Sequence, residues 1–189
     1  VKHNGERRSL YFVLIDALRA DALGVYGAEG DPSPNLDRLA REGVYFTRAF
    51  TSSPFTLTSV SSIFTGLHPW QHKVMFTEDA GLVLSPDVPS LVEKFRKAGY
   101  HTAAFSGTYF FLSSNGLGQG FDHMDERCAA AFFKDSADCL SDRLEEWLND
   151  PAVRGPKFVY VHYVDPHAPY YAPDKHRLPI DTPLIPYDF

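Results

Sequence analysis

Two nearly continuous apolar runs stand near the ends of the chain. "LYFVLID" (10–16) and "KFVYVHYVD" (157–165) are rich in β-branched and aromatic residues, and each closes on an aspartate. A strand with one wet face alternates apolar and polar positions, so an unbroken run suits a strand covered on both faces, as in a parallel sheet between helix layers. Between the runs the period lengthens to that of a helix. In "SPNLDRLAREG" (33–43) Leu36, Leu39 and Ala40 share a face, with Ser33 at the N-cap, Pro34 at the first helical position and Gly43 as terminator. "VYFTRAF" (44–50) then reads as a strand. "VPSLVEKFRKAG" (88–99) predicts a second helix led by Pro89 and closed by Gly99, and "YHTAAFS" (100–106) another strand. "SADCLSDRLEEWLND" (136–150) carries Leu140, Leu144, Trp147 and Leu148 at helical spacing. The predicted order, βαβαβαβ, is that of an α/β fold with a mostly parallel sheet sandwiched by helices, in which ligands gather beyond the carboxyl ends of the strands. Asp16 and Asp165 fall at those ends.

One further stretch has helical spacing and an odd composition. "SPFTLTSVSSIFTG" (53–66) places Leu57, Val60, Ile63 and Phe64 on one stripe, ends on Gly66, and crowds hydroxyls at its start. A helix N-terminus offers unpaired N–H groups and the positive end of the dipole, which favours a phosphate or sulfate group, and a hydroxyl placed there can attack it. Thr56 or Thr58 acting only as a cap is the plainer reading of the same residues. A threonine alkoxide needs activation, and no Lys or His base stands at a telling local spacing, so a divalent metal is the natural activator and Asp16 its natural ligand. Asp21 is a weaker second candidate. In "HYVDPHAPY" (162–170) His167 lies just past the strand and can meet a substrate or leaving-group oxygen, whereas His162 sits inside the strand and reads as packed. His72, with Lys73 beside it, follows the hydroxyl helix closely enough to reach the same anion; His68 reads as a loop residue. "NGLGQGFD" (115–122) lacks the dinucleotide-binding glycine pattern, follows no strand directly, and reads as a loop.

Composition narrows the field. A 189-residue chain that is 44% hydrophobic and 22% charged can bury a core as one domain. A formal charge of −6 and no basic stripe argue against a general nucleic-acid binder. The longest apolar run, Leu10 to Ile15, falls far short of the ~20 residues that span a bilayer. No secretory leader pattern is visible, and localisation stays open. Cys128 and Cys139 have no metal-like spacing and read as two semi-buried free thiols.

Five stretches together resemble one family. "VLIDALRADALGVYG", "SPNLDRLAREGVYFTRAF", "SSIFTGLHPWQHKV", "LVEKFRKAGYHTAAF" and "VHYVDPHAPY" occur in the order found in sulfatase-type members of the alkaline phosphatase superfamily. The resemblance implies a catalytic domain over residues 1–173, followed by a proline-rich tail or the start of a further segment over 174–189. It also implies a divalent metal (zinc, manganese or calcium) on Asp16 and Thr56, with the nucleophile ten residues before the glycine of "TG", which is Thr56 itself. His72 and His167 then contact the transferred group or its leaving oxygen. Two departures matter. Sulfatases of this family oxidise a cysteine or serine to formylglycine, an aldehyde that a secondary alcohol such as Thr56 does not give, and the arginine four residues later is Val60. Relatives with a threonine nucleophile handle phosphate esters, so the expectation is a metal-dependent hydrolase or transferase of small or lipid-linked phosphate esters, with sulfate esters, or ester binding without catalysis, as alternatives. Family members are larger, so these residues are expected to be a truncated portion whose remaining ligands come from a C-terminal half.

Overall fold

The computed structural model describes residues 7–75, 82–109, 113–131 and 136–168. The tail expected over 174–189 lies outside them. The elements run β1 (Leu10–Ile15), α1 (Pro34–Glu42), α2 (Thr56–Thr65), α3 (Pro69–His72), α4 (Leu91–Lys97), β2 (His101–Ser106), β3 (His123–Asp125), α5 (Ser136–Leu148) and β4 (Lys157–Tyr163). The four strands form one sheet in the order β1-β4-β2-β3, and each neighbouring pair is parallel. Parallel neighbours require crossovers, and the helices that supply them cover the sheet.

Strand parity decides which layer each side chain meets. In β4 the even positions Phe158 and Tyr160 pack with Leu57, Val60 and Phe64 of α2 and Val92 of α4; Phe12 and Leu14 of β1 join this cluster. The odd positions Val159 and Val161 pack with Phe105 of β2 and Leu140 of α5. Phe64 meets the Tyr160 ring edge-on at 5.0 Å, and Phe95 stacks on Phe158 at 4.5 Å. Both faces of β4 are therefore dry, as its apolar run predicts, and those of β2 are dry as well.

β1 departs from that prediction. It is an edge strand, paired on one side only among the described residues, and its odd face is open: Val13 is 54% exposed, and Leu39 of α1 across a groove is 63% exposed. Residues 44–50 are not a strand; Val44 is 82% exposed and the segment runs over the surface, tied by the Tyr26 hydroxyl donating to the Phe46 carbonyl at 2.7 Å. An extended segment becomes a strand only where a partner edge receives it. The strand that sequence reading misses, β3, is three residues long, too short to show a period.

Local signals fare unevenly. Ser90 caps α4 by accepting from Val92 N at 3.1 Å, and Glu93 closes the box on Ser90 N at 3.0 Å. Gly66 ends α2 in the left-handed region at φ 71°. Ser33 precedes α1 but does not cap its backbone: its hydroxyl accepts from Gly24 N and donates to Asp37 Oδ1, clamping the preceding loop to the helix. The glycines of 115–122 serve packing. Gly120, at φ +90°, passes so close to the Glu93 backbone that a Cβ would lie 2.4 Å from its nitrogen. Cys128 and Cys139 are not free thiols; they form a disulfide across Cα atoms 5.9 Å apart. The helical turn around Cys128 folds back onto α5, and the two sulfurs meet on the odd face of the sheet.

Candidate active site

The carboxyl end of β1 and the start of α2 meet at one point. Asp16 has even parity, like Phe12 and Leu14, so it faces the α2 layer, and its N–H continues the ladder by donating to the Tyr163 carbonyl at 2.8 Å. Ala17 then takes the left-handed conformation, φ 57°, which costs an alanine about 1 kcal/mol and turns the chain sharply off the sheet. Thr56 is the first residue of α2, preceded by an extended Phe55 at the N-cap. The cap reading therefore fails for Thr56 and Thr58: the N-cap position belongs to Phe55, which has no capping oxygen. The Thr56 hydroxyl instead donates to Asp16 Oδ2 at 3.0 Å, across 40 residues of sequence.

Other hydroxyls surround this pair. Thr51 Oγ1 and Ser59 Oγ share a hydrogen bond of 2.7 Å, the Thr51 hydroxyl also donates to the Ser53 carbonyl at 2.9 Å, and Ser53 Oγ accepts from Phe55 N at 3.1 Å. Asp16, Thr51, Ser53, Thr56 and Ser59 line a cavity of about 290 Å³, with Val60 contributing to its wall. The hydroxyl-rich start of 53–66 thus folds around a carboxylate.

His162 is the residue that sequence reading put in the core and the structure brings to the site. It is fully buried, as expected, yet its Nε2 lies 3.4 Å from Asp16 Oδ2 and its Nδ1 lies 2.9 Å from the Tyr160 hydroxyl. Parity is the signal that points to it: residues 160 and 162 share the face on which Asp16 and α2 meet. Burial pushes the Asp16 carboxyl up, but the hydrogen bonds from His162 and Thr56, with a smaller pull from His167, outweigh it and hold the group below its ordinary value.

The other candidates divide. His167 stands on the turn after β4, its backbone N–H donating to the Val164 carbonyl at 2.9 Å and its Nδ1 3.0 Å from the Ala168 carbonyl, and it is not among the residues that line the cavity. His72 is 2% exposed and both ring nitrogens are engaged: Val74 N donates to Nδ1 at 3.1 Å, so Nε2 carries the proton and donates to Ser62 Oγ at 2.9 Å. It ties α3 to α2 and does not line the cavity. Asp21 is exposed and paired with Arg19, away from the cavity. Asp165 turns to the opposite layer, accepting from Ser136 Oγ at 2.8 Å and Ala137 N at 3.1 Å at the start of α5. His68 heads α3 and stacks on Trp70 at 4.4 Å.

The Sulfatase family profile matches residues 9–178, which include every element of this site. The chain belongs to the Sulfatase family. An arylsulfatase of Clostridium perfringens is 34% identical over 107 residues, which make up 57% of this chain and 22% of that protein. The solved structure of BT4656 with its substrate D-glucosamine-2-N,6-O-disulfate matches the fold with a TM-score of 0.70 at 23% identity, over 86% of this chain and 35% of that one. The zinc complex of the C-terminal periplasmic domain of EcEptC from Escherichia coli matches with a TM-score of 0.62 at 21% identity, over 90% of this chain and 48% of that one. This sulfatase-family chain thus spans about a fifth of the curated relative and under half of the structural neighbours. Members of the sulfatase and alkaline phosphatase superfamily use divalent metals, and one neighbour here holds zinc. Among the described residues no group of three or more His, Cys, Asp or Glu is placed to hold a metal ion, and no helix is long and apolar enough to cross a membrane.

Proposed function

We propose that this chain carries the nucleophile side of a metal-dependent sulfate-ester hydrolase, with Thr56 as nucleophile and Asp16 as metal ligand. The 3.0 Å hydrogen bond between Thr56 Oγ1 and Asp16 Oδ2, at the floor of a hydroxyl-lined cavity, carries the reading; the sulfatase relatives support the substrate class. A carboxylate and a hydroxyl are hard oxygen donors that fit part of the shell of zinc, manganese or calcium, and the described residues do not supply the rest of it. Held there, the ion would supply charge neutralisation and lower the pKa of the Thr56 hydroxyl.

The residues of the chain account for the remaining steps. Asp16 Oδ2 orients the Thr56 hydroxyl, and the first turn of α2 favours the anionic ester through its N–H groups and dipole. Thr56 Oγ1, its proton released to solvent, attacks the ester sulfur, the bond from sulfur to the alcohol oxygen breaks, and His167 gives the departing oxygen its proton. Water then attacks the sulfur of the sulfothreonine and gives a proton back to His167, while the Thr56 oxygen leaves and recovers its proton from solvent, releasing sulfate and restoring the hydroxyl. His72, spent on Ser62 and Val74, keeps α2 in place and takes no part in the bond changes.

One observation favours phosphate esters as a second reading. The nucleophile position holds a secondary alcohol, which cannot be oxidised to the formylglycine aldehyde, and phosphoryl transfer to a hydroxyl needs no such modification. Comparing kcat/KM of the full-length protein for aryl sulfates and aryl phosphate mono- and diesters decides between the two. Faster sulfate hydrolysis supports the first reading, and faster phosphate hydrolysis replaces it with the second. Binding of both without turnover would make the chain a non-catalytic relative.

A further inference from the structure

We infer that Tyr160 and His162 form a buried positioning relay for Asp16, in which the phenol donates to Nδ1 of His162 and thereby keeps the ring proton on Nε2, aimed at Asp16 Oδ2. The relay deepens the proposed reading of Asp16 as a metal ligand and rests on it.

The geometry supplies each link. Tyr160 and His162 stand two residues apart on one face of β4, both fully buried, with the hydroxyl 2.9 Å from Nδ1. Tyr160 cannot drift: its ring is wedged edge-on against Phe64 at 5.0 Å and beside Phe12 at 5.9 Å. Burial, and the negative charge of Asp16, push its ionisation far up, so the phenol keeps its proton and needs an acceptor for it. At the other end of the ring Nε2 lies 3.4 Å from a carboxylate oxygen. A bare nitrogen there would set two lone pairs against each other, whereas an N–H gives a hydrogen bond strengthened by the acceptor's charge. One tautomer, the proton on Nε2 and a lone pair on Nδ1, satisfies both ends at once. Asp16 Oδ2 then receives two donors, the His162 N–H and the Thr56 hydroxyl, which fix the rotation of the carboxylate relative to the nucleophile. Partners of this kind, behind the groups that hold a metal, change its affinity about 10–100-fold when removed.

The test uses the full-length protein and two independent readouts. Nitrogen NMR of histidine-labelled protein should show His162 with its single proton on Nε2; a proton on Nδ1, or on both nitrogens, overturns the relay. In Tyr160→Phe the Nδ1 lone pair loses its donor, so the Nδ1 resonance should move toward that of an unbonded ring nitrogen while Asp16 still favours the proton on Nε2, and an unchanged His162 spectrum also overturns the relay. Calorimetric titration with Mn²⁺ should show affinity falling about tenfold or more in His162→Leu and returning to within about threefold of wild type in His162→Gln, whose amide nitrogen can take the place of Nε2. Equal losses in Leu and Gln variants would mean that His162 acts by packing alone and would overturn the inference. Should the Leu variant fail to fold, the Gln variant and the Tyr160→Phe spectrum still score it. Absence of Mn²⁺ binding by the wild type would defeat the reading of Asp16 as a ligand, while the tautomer measurement would still decide the relay by itself.

Discussion

Asp16 and Asp165 close the two most apolar runs of the chain in the same way, and the fold puts them to opposite uses. Asp16 continues the even face of β1, meets hydroxyl and imidazole donors from α2 and β4, and lines a cavity. Asp165, on the odd side after β4, meets the first turn of α5 and holds Ser136 and Ala137. A carboxylate received by a helix N-terminus has its charge absorbed by backbone, as a cap has, while one received by side-chain hydroxyls beside open space can still bind and react. What separates the two is one step of strand parity.

The largest expected contrast is in turnover. In the full-length protein Asp16→Asn should lower kcat/KM at least about a thousandfold, in line with removal of a group acting at the reacting atoms. Asp165→Asn should stay within about tenfold. Comparable losses in both would erase the distinction. Next in size is a contrast between the two faces of the sheet, read by urea unfolding of this chain. Phe64→Ala, under the even face, should cost about 3–5 kcal/mol, and Leu39→Ala, on the open flank beside β1, less than about 0.5 kcal/mol. A large loss at Leu39 would show that the flank is covered. Third, Asp165→Ala should cost about 1 kcal/mol, the worth of a helix cap, with no change in metal affinity.

The smallest effect extends the contrast to the imidazoles. Burial holds the His72 pKa below its ordinary 6.5. Between the folded and unfolded values the unfolded chain binds more protons, so the stability His72 contributes is complete above pH 6.5 and is lost as pH falls below it. His72→Gln should flatten the decline of unfolding free energy between pH 7 and 5; an unchanged slope would mean that His72 is not held neutral.

Strand and helix periods in the sequence were enough to place β1, β2, β4 and α1, α2, α4 and α5, because each is set by local chemistry such as a glycine terminator at Gly66 and uninterrupted apolar runs; α3, a single turn, shows no period, and α4 is capped by Ser90 where the sequence reading led it with Pro89. They were not enough where the outcome depends on a partner. Residues 44–50 have the composition of a strand and no edge to join, and the odd face of β1 is patterned for burial yet open among the described residues. Cys128 and Cys139 pair because a turn and a helix are brought together, which spacing alone does not show. At the site, the carboxylate of Asp16 was legible from its place at a strand end, while the helix start left Thr56 and Thr58 open and only the family resemblance singled out Thr56. His162 was not, since burial and participation had been treated as alternatives, and it has both. His72 shows the converse, a histidine in the right neighbourhood whose two nitrogens are already taken.

The central claim is that Thr56 Oγ1 is the atom that takes the transferred group while Asp16 holds it ready. Mass spectrometry of the full-length protein, acid-quenched during turnover of an aryl sulfate or aryl phosphate, addresses it most directly. A sulfo or phospho adduct on Thr56, absent in Thr56→Val and greatly reduced in Asp16→Asn, is the predicted result. Undiminished turnover by Thr56→Val, with no adduct on the wild type, would contradict the account.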